Sequence, residues 1–374
     1  MTKNEVLEKF VKLVDEREAM EKKERTEKYG YEFLKVRVET EDWLELPEFS
    51  CSVGKSPINA RKNRYRDVVP YDSTRVLLSN VGRLTHPILK VSQNVNGDEP
   101  DAADQSNPKA DSSYINASFI KGHDNTVQYI STQAPLDNTI HDFWSMILQH
   151  NVAEIIMLCA LVEQGRMKCA RYWPENVGES MLVGSGCTLI LESETFTDAT
   201  KHLVVRHLVL NNSNDPDSSS HKIRQFQYTE WPDYGSPDDY RALIGLLENV
   251  HKDRLQGSTP ILVHCSAGCG RSGAIIAVDI VWNHLKKATI PDDLNINDLV
   301  LELRRQRPAM VQSLDQFILV HLVCAELFRQ YLSNNSNVNG ISSSEPGRPP
   351  RKPKESTGSQ LTRAVKGYLG LGRF

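Results

Sequence analysis

The stretch TPILVHCSAGCGRSGAIIAVDIVWNHL, residues 259–285, decides how this chain is read. Its first six residues, TPILVH, form a short apolar run of the kind that makes a buried strand. From Ser272 onward, SGAIIAVDIVWNHL is apolar nearly all round and reads as a buried helix. Between strand and helix lies a loop with Cys265 at its start, Arg271 at its far side and the glycines Gly268, Gly270 and Gly273. A glycine-studded turn that feeds a helix directs backbone N–H groups to one point, where the helix N-terminus adds roughly half a positive charge. That arrangement cradles a tetrahedral anion. Arg271 can offer a planar fork to two of its oxygens, a geometry lysine does not match. In such a field a thiol pKa falls to roughly 3.5–7.5, which makes Cys265 a thiolate nucleophile. The competing reading takes Cys265 as a small packing residue and Arg271 as a surface charge. It suits the bare six-residue spacing, but strand, glycines, Ser272 and helix all agree on the anion site. The backbone of Ser266, Ala267, Gly268, Cys269 and Gly270 is expected to bind the anion. The Cys269 side chain reads as packing, with redox coupling as the lesser alternative.

The rest of the chain bounds what such a site serves. At 374 residues the length suits one large α/β domain with a tail, and the formal net charge of -4 gives no support for nucleic acid as a partner. The opening MTKNEVLEKFVKLVDERE lacks the apolar core of a signal peptide, and no later run approaches the ~18 apolar residues of a transmembrane segment. A cytoplasmic protein is expected. The seven cysteines are odd in number, widely spaced and without a C-x-x-C pair, so neither a disulfide framework, a metal site nor a cofactor is expected.

Over residues 1–30, Val6, Phe10, Leu13 and Val14 recur at helical spacing amid charges, which predicts an amphipathic N-terminal segment packing on a core. The polar, turn-rich stretch 92–113 reads as an inserted loop. TVQYIST, AEIIMLCAL, HLVVRHLVL and IRQFQYTEW read as strands. A helix over NTIHDFWSMILQH is expected to be capped at Asn138, with Ile140, Phe143, Trp144 and Ile147 facing inward. Ser236 followed by Pro237 predicts another helix start, and Ser313 with Gln316 a capping box.

HCSAGCGRSG resembles the signature loop of the protein tyrosine phosphatases, and other stretches match that family in the same order: KNRYRDVVPYDSTRV (62–76), SYINASFI (113–120), TQAPLDNTIHDFW (132–144), KCARYWP (168–174), WPDYGSP (231–237) and VQSLDQF (311–317). The likeness spans about residues 25–332, and CSAGCGRSGAIIAVDIVW followed by IPDDLNINDL is most similar to the PEST-type non-receptor subgroup. The resemblance implies an α/β fold with a central twisted mixed sheet flanked by helices, forming a single catalytic domain over 25–332.

It also implies roles. A phosphate monoester attacked by a thiolate needs an acid for the departing oxygen, and Asp233 lies on what would be a mobile acid loop with Trp231 near its hinge. Gln312 and Gln316 would orient the water that hydrolyses the phosphocysteine, with Asp233 returning as base and Ser272 bonding the leaving thiolate. Gln316 has a competing use in the capping box. Glu163 and Lys168 would support the signature arginine and the acid loop, with surface charge the alternative for both, and His264 is a further supporting residue. Tyr65 would stack on the phosphotyrosine ring, Asp67 would accept backbone N–H groups of the substrate, and Arg66 would favour acidic flanks. The chain departs from the family at Ser113, Ala134 and Ala309; at Ala309 some relatives carry a glycine that opens a second aryl-phosphate site.

The leading expectation is hydrolysis of phosphotyrosine in proteins. The alternatives are a phosphotyrosine-binding pseudophosphatase or scaffold, and a dual-specificity phosphatase, against which KNRYRD argues. Residues 333–374 form a Pro-rich, basic tail that cannot bury a core. Within it RPPRKPK could dock an SH3-type groove, or serve only as a linker. LTRAVKGYLGLGRF could touch a membrane surface peripherally, against the simpler reading of disorder.

Overall fold

The structure is a computed structural model that describes residues 2–79, 113–184, 186–197, 202–212, 220–232, 235–237, 239–252, 254 and 259–340. All but the last residue of the expected inserted loop over 92–113, the acid-loop residue Asp233 and tail residues 341–374 lie outside the described residues. By its internal contacts the chain divides into Met1–Leu332 and Ser333–Phe374.

In chain order the helices are α1 (Lys3–Glu18), α2 (Lys22–Glu41), α3 (Ser52–Lys55), α4 (Ile140–Gln149), α5 (Arg241–His251), α6 (Gly270–Lys286), α7 (Ile296–Gln306) and α8 (Leu314–Gly340). The strands are β1 (Arg75–Leu77), β2 (Tyr114–Lys121), β3 (Val127–Thr132), β4 (Glu154–Met157), β5 (Val162–Glu163), β6 (Arg166–Met167), β7 (Ser180–Gly184), β8 (Cys187–Phe196), β9 (Leu203–Asn212), β10 (His221–Tyr228) and β11 (Ile261–His264). Among the described residues, nine strands form one mixed sheet in the order β1-β2-β3-β11-β4-β10-β9-β8-β7. β11 lies parallel to both β3 and β4 at its centre, and β4 lies parallel to β10; the outer pairs are antiparallel.

Alternation along β11 explains why its short run is wholly apolar. Ile261 and Val263 enter a core formed with α1, α2 and α5–α8, while Leu262 enters a second core with α4 on the other face. A strand buried on both faces ends rigidly, and the residue it delivers at its carboxyl end is Cys265.

Several expected boundaries shift. The N-terminal helical run is longer than residues 1–30 and breaks into α1 and α2, which a bidentate ion pair joins: Arg17 donates to Glu32 at 2.9 and 2.5 Å, and its guanidinium lies over the Tyr29 ring. Leu7 takes the buried place expected of Leu13, which is 41% exposed. Asn138 does not cap α4, because its side chain donates to the Arg61 carbonyl; residues 137–139 form a tight turn in which the Thr139 hydroxyl receives the Leu136 N–H. α5 begins at Arg241 rather than at Pro237, where Asp239 receives the Arg241 N–H at 3.0 Å. The Ser313–Gln316 capping box forms as expected, with Gln316 Oε1 receiving the Ser313 N–H and Ser313 Oγ that of Gln316.

Candidate active site

The loop from Cys265 to Arg271 leaves β11 and enters α6, and its carbonyls from Ser266 to Cys269 are all held by donors. The Ser266 carbonyl accepts from Ala134 N, that of Ala267 from Arg307 Nη2, that of Gly268 from Arg307 Nε and Ser131 Oγ, and that of Cys269 from Gly273 and Val311 N. With carbonyls turned away, the loop's N–H groups face the opposite side, as anion binding requires. Gly268 makes this possible: its φ is +70°, and an added Cβ would stand 2.0 Å from the Thr132 carbonyl oxygen. Gly273 serves close packing, since a Cβ there would meet Val311 N at 2.5 Å.

Cys265 is buried, which pushes its thiol pKa up. A hydrogen bond from Ser272, the charge of Arg271 and the N–H groups of Ser272 and Gly268 outweigh that and hold it below the ordinary cysteine value. The Gly268 N–H donates to the sulfur at 3.2 Å. The Ser272 hydroxyl is fully buried and has no fixed hydrogen-bond partner among the described residues, so it can turn towards the sulfur. Four residues on, Cys269 shows the opposite: burial, with the Cys265 charge adding, pushes its thiol up to about 12.

Arg271 donates to both oxygens of Glu163, at 2.7 and 2.8 Å, and to the carbonyls of Leu158 and Pro232, at 3.0 and 3.2 Å. Burial lowers its pKa, and the Glu163 hydrogen bonds and Cys265 charge raise it more, so it stays a cation. Glu163 is thus no surface charge, and neither is Lys168, which is buried with its carbonyl receiving the Ser266 hydroxyl at 3.1 Å. The Pro232 contact brings the residue before Asp233 against the arginine. Trp231 is buried and donates to the Gly235 carbonyl.

His264 is fully buried. A tautomer protonated on Nδ1 donates to the Cys265 carbonyl at 3.1 Å and lets Nε2 accept from Tyr172 Oη at 2.8 Å, which in turn receives Gln225 Nε2 at 2.6 Å. Tyr65 is half-buried, and its hydroxyl donates to Ser266 Oγ at 2.9 Å, tying the aromatic wall to the loop. Arg66 and Asp67 beside it are exposed. Gln312 is exposed, its amide oxygen 3.9 Å from Cys269 Sγ. Gln316 lies against Gly270, but its oxygen is taken by the N–H groups of Gln312 and Ser313, leaving its amide nitrogen for other use. The structure therefore places His264, Glu163, Lys168, Tyr65, Gln312 and Gln316 at one loop and its rim, while Arg66 and Asp67 simply follow Tyr65 in the chain.

Two arginines at this site escaped sequence reasoning. Arg307, fully buried, turns two carbonyls of the loop away and also donates to Ser118 Oγ and Asn116 Oδ1. Arg304 donates to the carbonyls of Met310 and Val311 at 3.0 and 2.9 Å. It holds a segment where Ala309 and Val311 adopt φ of +58° and +55°, strained for a residue with a Cβ and most of all for a β-branched one. That turn aims Gln312. In LRRQRPAM both arginines look like ordinary helix-surface charges; the following Pro308 was the one hint that the chain turns back towards the loop.

Residues 59–326 match the family described as protein-tyrosine phosphatase, and the chain belongs to that family. It is 35% identical over 334 residues to tyrosine-protein phosphatase non-receptor type 12 of Homo sapiens, covering 89% of this chain and 38% of that protein. To the non-receptor type 18 enzyme of Homo sapiens it is 33% identical over 305 residues, covering 82% and 59%. The chain thus spans about two-fifths to three-fifths of the length of these curated relatives, which accord with the PEST-type subgroup. Among solved structures it is similar to the catalytic domain of human protein tyrosine phosphatase non-receptor type 18, with a TM-score of 0.68 at 33% identity over 82% of this chain and 98% of that one. Its likeness to the same enzyme in complex with HER2 phosphopeptides has a TM-score of 0.70 at 31% identity, over 86% and 99%.

Proposed function

We propose that this chain hydrolyses phosphotyrosine in proteins through a phosphocysteine formed on Cys265. The observation that carries the reading is Cys265, its thiol held below the ordinary cysteine value, beside Arg271 at a loop whose carbonyls from Ser266 to Cys269 are all taken by donors. In the first step Cys265 Sγ attacks phosphorus, the bond to the tyrosine oxygen breaks, and Asp233 gives its proton to that oxygen. Arg271, fixed by Glu163, neutralises charge on the transferring group. In the second step Asp233 takes a proton from a water oriented by Gln312, whose oxygen attacks phosphorus; the sulfur leaves as thiolate, stabilised by Ser272. The Gln316 nitrogen is the only part of that amide available to help, which gives Gln312 the larger share.

Tyr65 would restrict the pocket to phosphotyrosine by stacking on the ring, with Arg66 and Asp67 addressing the flanking peptide. Tyrosine-phosphorylated proteins as substrates are supported by the phosphopeptide complexes of the non-receptor type 18 relative. No helix of the described residues is long and apolar enough to cross a membrane. With the non-receptor relatives, this favours a cytoplasmic location. The catalytic unit is taken as residues 25–332, with 333–374 as a tail able to engage an SH3-type partner.

The test is phosphate release from matched phosphotyrosine, phosphoserine and phosphothreonine peptides by the full chain and by Cys265→Ser and Asp233→Ala variants. Turnover confined to phosphotyrosine is expected, abolished in the first variant and slowed about a hundredfold or more in the second. Phosphopeptide binding without any turnover would contradict it and leave a binding protein. Comparable turnover of all three peptides would point to a dual-specificity enzyme.

A further inference from the structure

Beside the phosphate loop, β5 and β6 form a hairpin that turns at Gln164 and Gly165, with φ of +48° and +72°. Two residues of positive φ make the tight turn whose twist matches its strands, so the pairing on either side is fixed. Glu163 stands opposite Arg166, and Val162 opposite Met167. Side chains alternate along a strand, and Glu163 turns inward onto Arg271 while Lys168 is buried. Val162 and Met167 therefore share the outward face, where they are 50% and 60% exposed.

A single apolar residue on a surface needs no account. Here two face each other across the strands. The Lys168 N–H donates to the Leu161 carbonyl at 2.8 Å, which makes Val162 and Met167 the intervening pair without backbone hydrogen bonds, the kind whose side chains stand closer together. They present one apolar patch to water.

The patch continues the wall of the phosphate pocket. The Met167 carbonyl accepts from Arg64 Nη1 at 3.4 Å, and the rest of that guanidinium is bound to the carbonyls of Ala134 and Pro135 at 3.2 and 2.7 Å. One residue further along each segment, the Lys168 carbonyl receives the Ser266 hydroxyl, which itself meets the hydroxyl of Tyr65. The hairpin is thus pinned at two consecutive residues to the segment that carries the aromatic wall. An extended peptide advances about 3.3 Å per residue, so side chains two or three residues from its phosphotyrosine lie roughly 7–10 Å away, within reach of the pinned hairpin. Arg64 is spent on carbonyls, so the group that fits Val162 and Met167 is apolar.

We infer that Val162 and Met167 form an apolar subsite that takes an aliphatic side chain of the substrate peptide within three residues of the phosphotyrosine, an inference that rests on the reading of the chain as a phosphotyrosine hydrolase. The probes are phosphotyrosine peptides of serine and glycine in which one leucine is moved through the three positions on either side. With the full chain, leucine at one of these positions should lower KM about fivefold relative to serine and leave kcat unchanged, as binding shared by ground and transition states does. Val162→Ser combined with Met167→Ser should erase that preference, while Val162→Ile combined with Met167→Leu should keep it. Both pairs should turn over p-nitrophenyl phosphate, which is too small to reach the hairpin, as the unaltered chain does. The subsite is overturned if no leucine position is preferred, if the preference survives the serine pair, or if the serine pair loses turnover of p-nitrophenyl phosphate, which would make the hairpin only a support for Glu163. Absence of all turnover by the unaltered chain would instead overturn the hydrolase reading. The leucine preference would then be read from calorimetric binding of the same peptides, where its absence again overturns the subsite.

Discussion

The floor and the rim of the phosphate pocket are built on opposite terms. At the floor, Cys265, Arg271, Ser272 and His264 are buried, and every carbonyl from Ser266 to Cys269 has a donor behind it. At the rim, Arg66, Asp67 and Gln312 are exposed, with few or no fixed partners. The difference teaches where chemistry and choice reside. Charge stabilisation needs dipoles fixed before the reaction and shielded from water, whereas recognition of a peptide needs groups that remain free to meet it. The same contrast recurs inside the loop: burial raises both thiols, yet Cys265 falls and Cys269 rises because only the first faces Ser272 and Arg271, and the Gly270 N–H at Cys269 does not offset its burial.

Outside the residues that do the chemistry, the largest effect should come from the floor residue that touches no substrate. Arg307 is a positioning residue, and Arg307→Met would strip donors from the Ala267 and Gly268 carbonyls and free the loop to turn. A loss of about a hundredfold in kcat is expected, with a lower melting temperature. Because Arg307 also lends Cys265 a positive neighbour, the acidic limb of the pH–rate profile should move up, and Arg307→Lys should restore part of it. Unchanged kcat in a folded variant would erase the distinction between floor and rim. The smallest effect belongs to the rim. Arg66→Ala should raise KM a few-fold for phosphotyrosine peptides with acidic flanks and leave kcat alone, as a solvent-screened charge allows. A kcat loss comparable to that of Arg307→Met would show that the rim takes part in the chemistry.

The floor was legible in the sequence because its strand, glycines, nucleophile and helix are consecutive, and the periodicity on either side fixes their placement. Arg307, Arg304 and the Leu158 carbonyl were not legible, since only tertiary packing brings them to the loop, and an arginine in an amphipathic helix has the pattern of a surface charge. Glu163 and Lys168 sit in or beside two-residue strands too short to show alternation. The helix starts at Asn138 and Pro237 failed for a related reason: capping residues were read from local propensity, while Asn138 spends its side chain on Arg61. The apolar runs gave the individual strands, while their assembly into one mixed sheet came from the resemblance to the family, since no local pattern carries strand order.

The most direct test of this account is the reaction of the full chain with iodoacetamide across pH 5 to 9, with the alkylated residue located by peptide mass. Since Cys265 ionises below the ordinary cysteine value, its alkylation should already be well advanced at a pH where free cysteine barely reacts. Inorganic phosphate should protect it, and Cys269, held near 12, should stay unmodified throughout. Alkylation of Cys265 only as pH rises to the ordinary cysteine range, or in step with Cys269, would contradict it.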